Sequence, residues 1–188
     1  MPRPYRLRGA LAAAFCAVLA SCGGGPEHSE APKHQHDVCA IFDQRPGWRE
    51  AVEASADKWG APVPVQMAII WRESSFRADV RPPGRVSSAY GFSQAIDGTW
   101  EWYQEATGNS SADRTDWEDA TDFVGWYMSR SQNSNGIGMH DAYNQYLAYH
   151  EGHAGHRRGS YRAKAWLVAV AERVAAQAAR YRGQLRNC

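Results

Sequence analysis

Apolar residues recur at helical spacing along most of the chain. Trp48, Val52 and Trp59 lie between Pro46-Gly47 and Gly60, which read as the start and stop of a helix. Val65, Ala68, Ile69 and Trp71 follow Pro64, which sits where a first-turn proline fits. The stretch from Thr99 to Gly108 reads as another helix. Thr115-Asp116-Trp117-Glu118 has the form of a capping box, and Phe123, Trp126 and Tyr127 follow at helical spacing. A further helix is predicted over residues 140–150. The longest opens at Ser160, carries Trp166, Val170, Val174, Ala178 and Tyr181, and ends near Arg186. No run alternates apolar and polar as a half-buried strand would, although residues 77–92 leave room for a β-hairpin. The pattern predicts an all-α domain of about six or seven helices, without an internal repeat.

The first residues follow a different rule. Arg3, Arg6 and Arg8 precede an apolar run from Gly9 to Ala20, the form of an export signal over residues 1–21. That run is shorter than the ~18 residues a spanning helix needs. Leu19-Ala20-Ser21-Cys22 resembles the lipobox of bacterial lipoproteins. The resemblance implies that Cys22 is lipidated and becomes the mature N-terminus, an anchor rather than a span. A plain secretory signal is the alternative. Gly23 follows Cys22 where lipoproteins kept at the inner membrane carry Asp, so the resemblance implies the periplasmic face of an outer membrane. Residues 22–38, rich in Gly, Pro and polar side chains, read as a flexible tether, and 39–188 as the folded domain. His28, His34 and His36 could hold a metal weakly, but a solvated linker suits this composition better.

Composition narrows the function. The whole chain has 188 residues, 44% hydrophobic and 22% charged, as a single globular domain should. Its formal charge of +1 belongs to the leader, whose three arginines and no acid leave a mature charge of −2. Such a surface offers no basic field for nucleic acid. Cys16 leaves with the signal and Cys22 takes the lipid, so Cys39 and Cys188 remain as a natural pair in an oxidising compartment. A reactive thiol is the alternative reading.

The candidate chemistry centres on Glu73. It ends the apolar run Met67-Ala68-Ile69-Ile70-Trp71. Apolar walls and the negative end of a helix both disfavour its ionised form and raise its pKa. A glutamic acid still protonated near neutral pH can donate a proton to a glycosidic oxygen. A surface ion pair with Arg72 or Arg77 would be the structural alternative.

Three blocks surround this residue in order: Glu73-Ser74, then Gly91-Phe92-Ser93-Gln94, then Ala148-Tyr149-His150-Glu151-Gly152. They resemble the Glu-Ser, Gly-Leu-Met-Gln and Ala-Tyr-Asn-Ala-Gly motifs of the soluble lytic transglycosylases, which share the goose-type lysozyme fold. The resemblance covers roughly residues 60–160. Phe92 and Ser93 replace Leu and Met, which is expected to alter the groove floor. His150 replaces Asn and Glu151 replaces Ala. Ala142-Tyr143-Asn144 offers a rival third motif, though Leu147 and Gly152 favour Tyr149.

The resemblance implies a lysozyme-like fold acting on peptidoglycan glycan strands. Glu73 would be acid and then base in cleaving the bond between N-acetylmuramic acid and N-acetylglucosamine, leaving 1,6-anhydro ends. Ser74, Gln94, Tyr149 and Glu151 would line or support the substrate site. Glu151, Asp79 and Asp97 are candidates for the second acid that a hydrolytic muramidase needs. A catalytically silent peptidoglycan-binding lipoprotein is a further alternative. No cofactor is implied, and a monomer is expected. His150-Glu151-Gly152-His153 misses the His-Glu-x-x-His metal spacing, so no metal site is assigned. The chain has 8 Trp and 9 Tyr. Trp48, Trp59, Trp126 and Trp166 fall at core spacing, whereas Trp100, Trp102 and Tyr103 could offer a face to sugar.

Overall fold

Helix α3 (Val63–Ser74) is apolar around most of its circumference, and every residue from Val65 to Ile70 is buried. A helix of that kind belongs inside a bundle rather than on its surface. The computed structural model describes Met1 and residues 30–188. Cys22 and the leader beyond Met1 lie outside the described residues. Around α3 stand α1 (Val38–Gln44), α2 (Trp48–Trp59), α4 (Asp97–Thr107), α5 (Trp117–Asn135), α6 (Ala142–Arg158) and α7 (Ala165–Gln184). The closest pairings are α2 with α5, α3 with α7, and α6 with both α5 and α7. Among the described residues there is no strand. One isolated antiparallel bridge, Tyr90–Ala95, stands at the edge of the segment where a hairpin was allowed.

Several boundaries differ from the periodicity. Helix α1 went unanticipated because its apolar pattern spans only two turns, but Asp37 caps it, accepting from the Cys39 and Ala40 amides at 3.1 Å. The cap of α5 is Asp116 rather than Thr115, and its carboxylate accepts from the Asp119 amide at 3.0 Å. The long helix expected from Ser160 is split into a 3-10 turn, Ser160–Ala163, and α7. Helix α6 runs past Gly152, where the backbone breaks at φ 72° and ψ 159° before helix resumes.

The tether is also shorter than the composition suggested. From residue 30 onward its backbone lies against α1 and α7. The Lys33 amide donates to Gln44 Oε1 at 2.9 Å. The Tyr181 hydroxyl donates to the Gln35 carbonyl. His36 Nδ1 meets Gln177 Oε1 at 2.7 Å, and its ring stands edge-on to Trp71, so this histidine is held against the domain while its surface stays exposed. Cys39 and Cys188 form a disulfide with Cα atoms 6.0 Å apart, closing a sequence separation of 149 residues. It ties α1 to the end of α7, and thus the two ends of the folded region.

One polar cluster inside the bundle is well matched. Gln66, fully buried on α3, donates to the Ala61 carbonyl at 2.7 Å and accepts from Ser55 Oγ at 2.9 Å. Ser55 also lies 2.8 Å from the Thr121 carbonyl, joining α2, α3 and α5 at one point. Gly125 permits this approach: a Cβ there would lie 2.3 Å from Ser55 Oγ and 2.9 Å from Trp59 Cδ1. Ser55 cannot retreat without breaking its bond to Gln66. Gly125→Ala is therefore expected to lower unfolding stability by about 1–3 kcal/mol. Urea unfolding measures this directly, and an unchanged midpoint would contradict so close a contact between α2 and α5.

Candidate active site

Glu73 occupies the last turn of α3, and the chain turns away immediately after it. Ser75 caps the helix at φ 53° with its amide bonded to the Trp71 carbonyl at 3.0 Å, and Phe76 follows at φ 60°. Two successive non-glycine residues with positive φ are strained. Phe76, fully buried against Trp48 and Trp117, holds them there. Gln94, the other described non-glycine residue with positive φ, stands across the same site.

Beside Glu73 lies an open cavity of about 500 Å³, lined among others by Gln94, Ile96, Thr99, Tyr127, Tyr149, His150 and Glu151. That volume is in the usual range for small-ligand sites. Burial pushes the Glu73 carboxyl up to about 7, while a hydrogen bond from Tyr146 and the charge of Arg72 pull it back. The ion pair that would have made Glu73 a structural surface residue is thus a minor influence.

Helix α6 supplies the facing wall. The Tyr149 hydroxyl donates to the Ser93 carbonyl at 2.6 Å, and its ring stands edge-on to Tyr127 at 5.2 Å. Tyr149 lines the cavity with Glu73. Tyr143, its rival, is not among the lining residues and has Tyr161, Glu172 and Asp141 as its electrostatic neighbours. Tyr146 escaped the motif comparison, although it stands one helical turn before Tyr149 and so shares its face. Proximity to Glu73 helps to push the hydroxyls of both tyrosines well above the usual range, burial being the larger cause.

The segment between α3 and α4 closes the floor. Gly91 adopts φ 77°, and a Cβ there would lie 2.1 Å from the Arg114 carbonyl oxygen, which accepts from the Phe92 amide. The Arg114 guanidinium binds the Ser88 and Ala95 carbonyls at 3.1 and 2.9 Å and Asp97 Oδ1 at 2.7 Å. Gln94 Nε2 donates to the Val80 and Gly91 carbonyls at 2.9 and 2.8 Å. The Gln94 amide nitrogen thus folds the loop while its side chain lines the cavity. Arg114 went unread because its partners lie 17 to 26 residues away in sequence.

Other expectations are corrected. Ser74 is buried, bonds back to the Ile70 carbonyl at 3.2 Å and does not line the cavity, so it holds the helix end and not a ligand. Phe92 forms no groove floor. It is buried edge-on to the stacked pair Trp48–Trp117. Trp100 and Tyr103 are buried and so offer no face to sugar, and Trp102 is exposed but away from the cavity lining. Trp166, expected in the core, is 56% exposed. Asp79 and Asp97 do not line the cavity, and Asp97 is paired with Arg114.

Glu151 lines the cavity, yet its carboxylate is already bound. Lys164 Nζ lies 2.6 Å from Oε1, His150 Nδ1 3.1 Å from the same atom, and Ser160 Oγ donates to Oε2. Burial alone would raise its pKa, but these three hydrogen bonds prevail and hold it at about 2. His153 bonds Ser131 and stacks on Tyr127, while His156 lies between Asn135 and Asn144. Among the described residues no three His, Cys, Asp or Glu side chains converge as metal ligands.

The chain matches the family model described as transglycosylase SLT domain over residues 10–188, a wider span than its three motifs. No match was found among curated proteins or among solved structures.

The raised Glu73 pKa has a signed consequence for stability. Its contribution to folding is complete below the ordinary value of 4.5 and is lost as pH rises through about 7. Glu73→Gln removes that loss. Relative to wild type, the variant is expected to gain roughly 1–3 kcal/mol between mildly acidic and mildly alkaline pH. Urea unfolding at both ends of the range checks it, and a difference that does not change with pH would place the carboxyl in open solvent.

Proposed function

The chain belongs to the transglycosylase SLT domain family, and from that premise we propose that it is a lytic transglycosylase. It cleaves the β-1,4 bond between N-acetylmuramic acid and N-acetylglucosamine and leaves 1,6-anhydromuramic ends. The family acts on peptidoglycan, and the all-α fold is lysozyme-like.

One observation carries the finer reading. Two carboxyl groups line the cavity, and only that of Glu73 is free to exchange a proton. Glu151 is ionised and held by Lys164, Ser160 and His150, which suits a strut rather than a nucleophile or a base. A glycosidase of the two-carboxylate kind needs a second acid across the scissile bond. With one acid available, the substrate itself supplies what the second would.

The steps then balance without water. Protonated Glu73 gives its proton to the glycosidic oxygen as the bond from that oxygen to the muramic C1 breaks. The acetamido oxygen of the same sugar bonds to C1 and carries the positive charge. Glu73, now a carboxylate, takes the proton of the C6 hydroxyl, whose oxygen attacks C1 and displaces the acetamido oxygen. One residue must therefore both give and take a proton. A pKa of about 7, set by burial against the Tyr146 hydrogen bond and Arg72, suits both tasks. Tyr149, fixed by its bond to Ser93, shapes the wall against which the acetamido group lies.

The lipidation of Cys22, and with it a periplasmic location at the outer membrane, belongs to the same reading. It is supported by the leader pattern and by Leu19-Ala20-Ser21-Cys22. It would put the cavity within reach of the cell wall.

Two measurements test this function. Purified sacculi digested with the protein should release fragments with anhydro ends by mass, and kcat/KM should fall with a single ionisation as pH rises through about 7. Reducing ends would make the enzyme a hydrolase, and no release would leave a binding protein. Glu73→Gln should lower the rate by at least ~100-fold while the protein stays folded. For the anchor, Cys22→Ser should move the protein from the membrane fraction to the soluble fraction. A variant that stays with the membrane would rule out lipidation as its tether.

A further inference from the structure

Two aromatic side chains beside the cavity have no part in the mechanism above. Trp166 opens α7, but it lies off the stripe of Leu167, Val170 and Val174 that packs into the core. With 56% of its surface exposed, it is the most exposed of the described tryptophans. An indole left in water gives up the stabilisation that burial would supply, and such surfaces mark binding sites. Its ring centroid lies 5.2 Å from that of His150, the planes at 77°. His150 in turn lines the cavity that holds Glu73.

The His150 ring has a fixed orientation. Its Nδ1 faces the Glu151 carboxylate at 3.1 Å, and that carboxylate is itself held by Lys164 and Ser160. A carboxylate can only accept, so Nδ1 carries a hydrogen, and a ring with that one hydrogen leaves Nε2 as an acceptor. Lys164 is paired with Glu151, so the cation of this network is not free for an acidic ligand. The rim therefore presents a flat apolar surface and one acceptor beside it. A pyranose offers the matching set, with C–H groups on its faces and hydroxyl or amide donors on its edge. His150 and Glu151 are the two positions where the third motif departs from the family pattern.

We propose that Trp166 and His150 form a further saccharide subsite at the rim of the cavity. A sugar of the glycan strand beyond the cleaved bond lies against the indole and gives a hydroxyl or amide hydrogen to His150 Nε2. Glu151 and Lys164 are positioning residues that keep the imidazole turned. The subsite presupposes the glycan substrate proposed above, but it makes a separate claim about binding.

Calorimetry in the Glu73→Gln background tests it, because the ligand then stays intact. Glycan strands stripped of stem peptides are the probe. Adding Trp166→Ala or His150→Ala should weaken Kd by roughly three- to tenfold, as loss of one stacked ring or one hydrogen bond would. Trp102→Ala, an exposed tryptophan away from the cavity, should leave Kd unchanged. Equal affinities for all variants would overturn the subsite, as would an equal loss in Trp102→Ala. A loss seen only with strands that still carry stems would overturn its saccharide character. Failure of the wild type to release fragments from sacculi would refute the catalytic reading instead, and leaves this binding comparison intact.

Discussion

A carboxyl group is costly to take from water, and this fold half-buries one at the end of its most apolar helix. Everything around the cavity depends on that constraint. Helix α3 can occupy the centre of the bundle because Val65 to Ile70 are apolar apart from Gln66, whose polar groups are matched by Ser55 and Ala61. The same packing partly desolvates Glu73 and raises its pKa to about 7. The stability lost by ionising Glu73 and the capacity to give a proton near neutral pH are one quantity seen from two sides.

The walls keep that carboxyl from becoming too weak an acid to serve. Tyr146 donates to it, and Arg72 acts on it by charge. Tyr149, one turn further along α6, is fastened to the loop before α4 through Ser93. That loop is fixed in turn by Arg114, Gly91 and the Gln94 amide. The strained backbone at Ser75, Phe76 and Gln94 falls at this junction, where the buried Phe76 and the Gln94 hydrogen bonds hold it.

The third wall shows how an apparent catalytic residue takes another role. Glu151 lines the cavity and is a carboxylate, which made it the leading second acid. Its hydrogen bonds to Lys164, Ser160 and His150 commit both oxygens to joining α6, the 3-10 turn and the start of α7. This clamp adjoins the break at Gly152, so the helix can change course without losing its hold on His150. One acid of the cavity is thereby left without a bound cation, and the other orients the imidazole.

The all-helical class, the place of Glu73 at the end of an apolar helix, and its company with Gln94 and Tyr149 at one cavity were legible in the sequence. They rest on local rules: periodicity, capping and order along the chain. Those rules say which face of a helix is apolar. They do not say what that face meets. Periodicity therefore put Trp166 in the core and left Trp100 and Tyr103 as sugar platforms, whereas packing on Phe123 of α5 buries the latter two and Trp166 stands exposed on α7. Arg114, the Ser55–Gln66–Gly125 contact and the bonds of Glu151 to Ser160 and Lys164 each join residues 9 to 70 positions apart. Only the closed bundle decided which polar groups pair with one another, and which of the two carboxyls lining the cavity is bound by a cation.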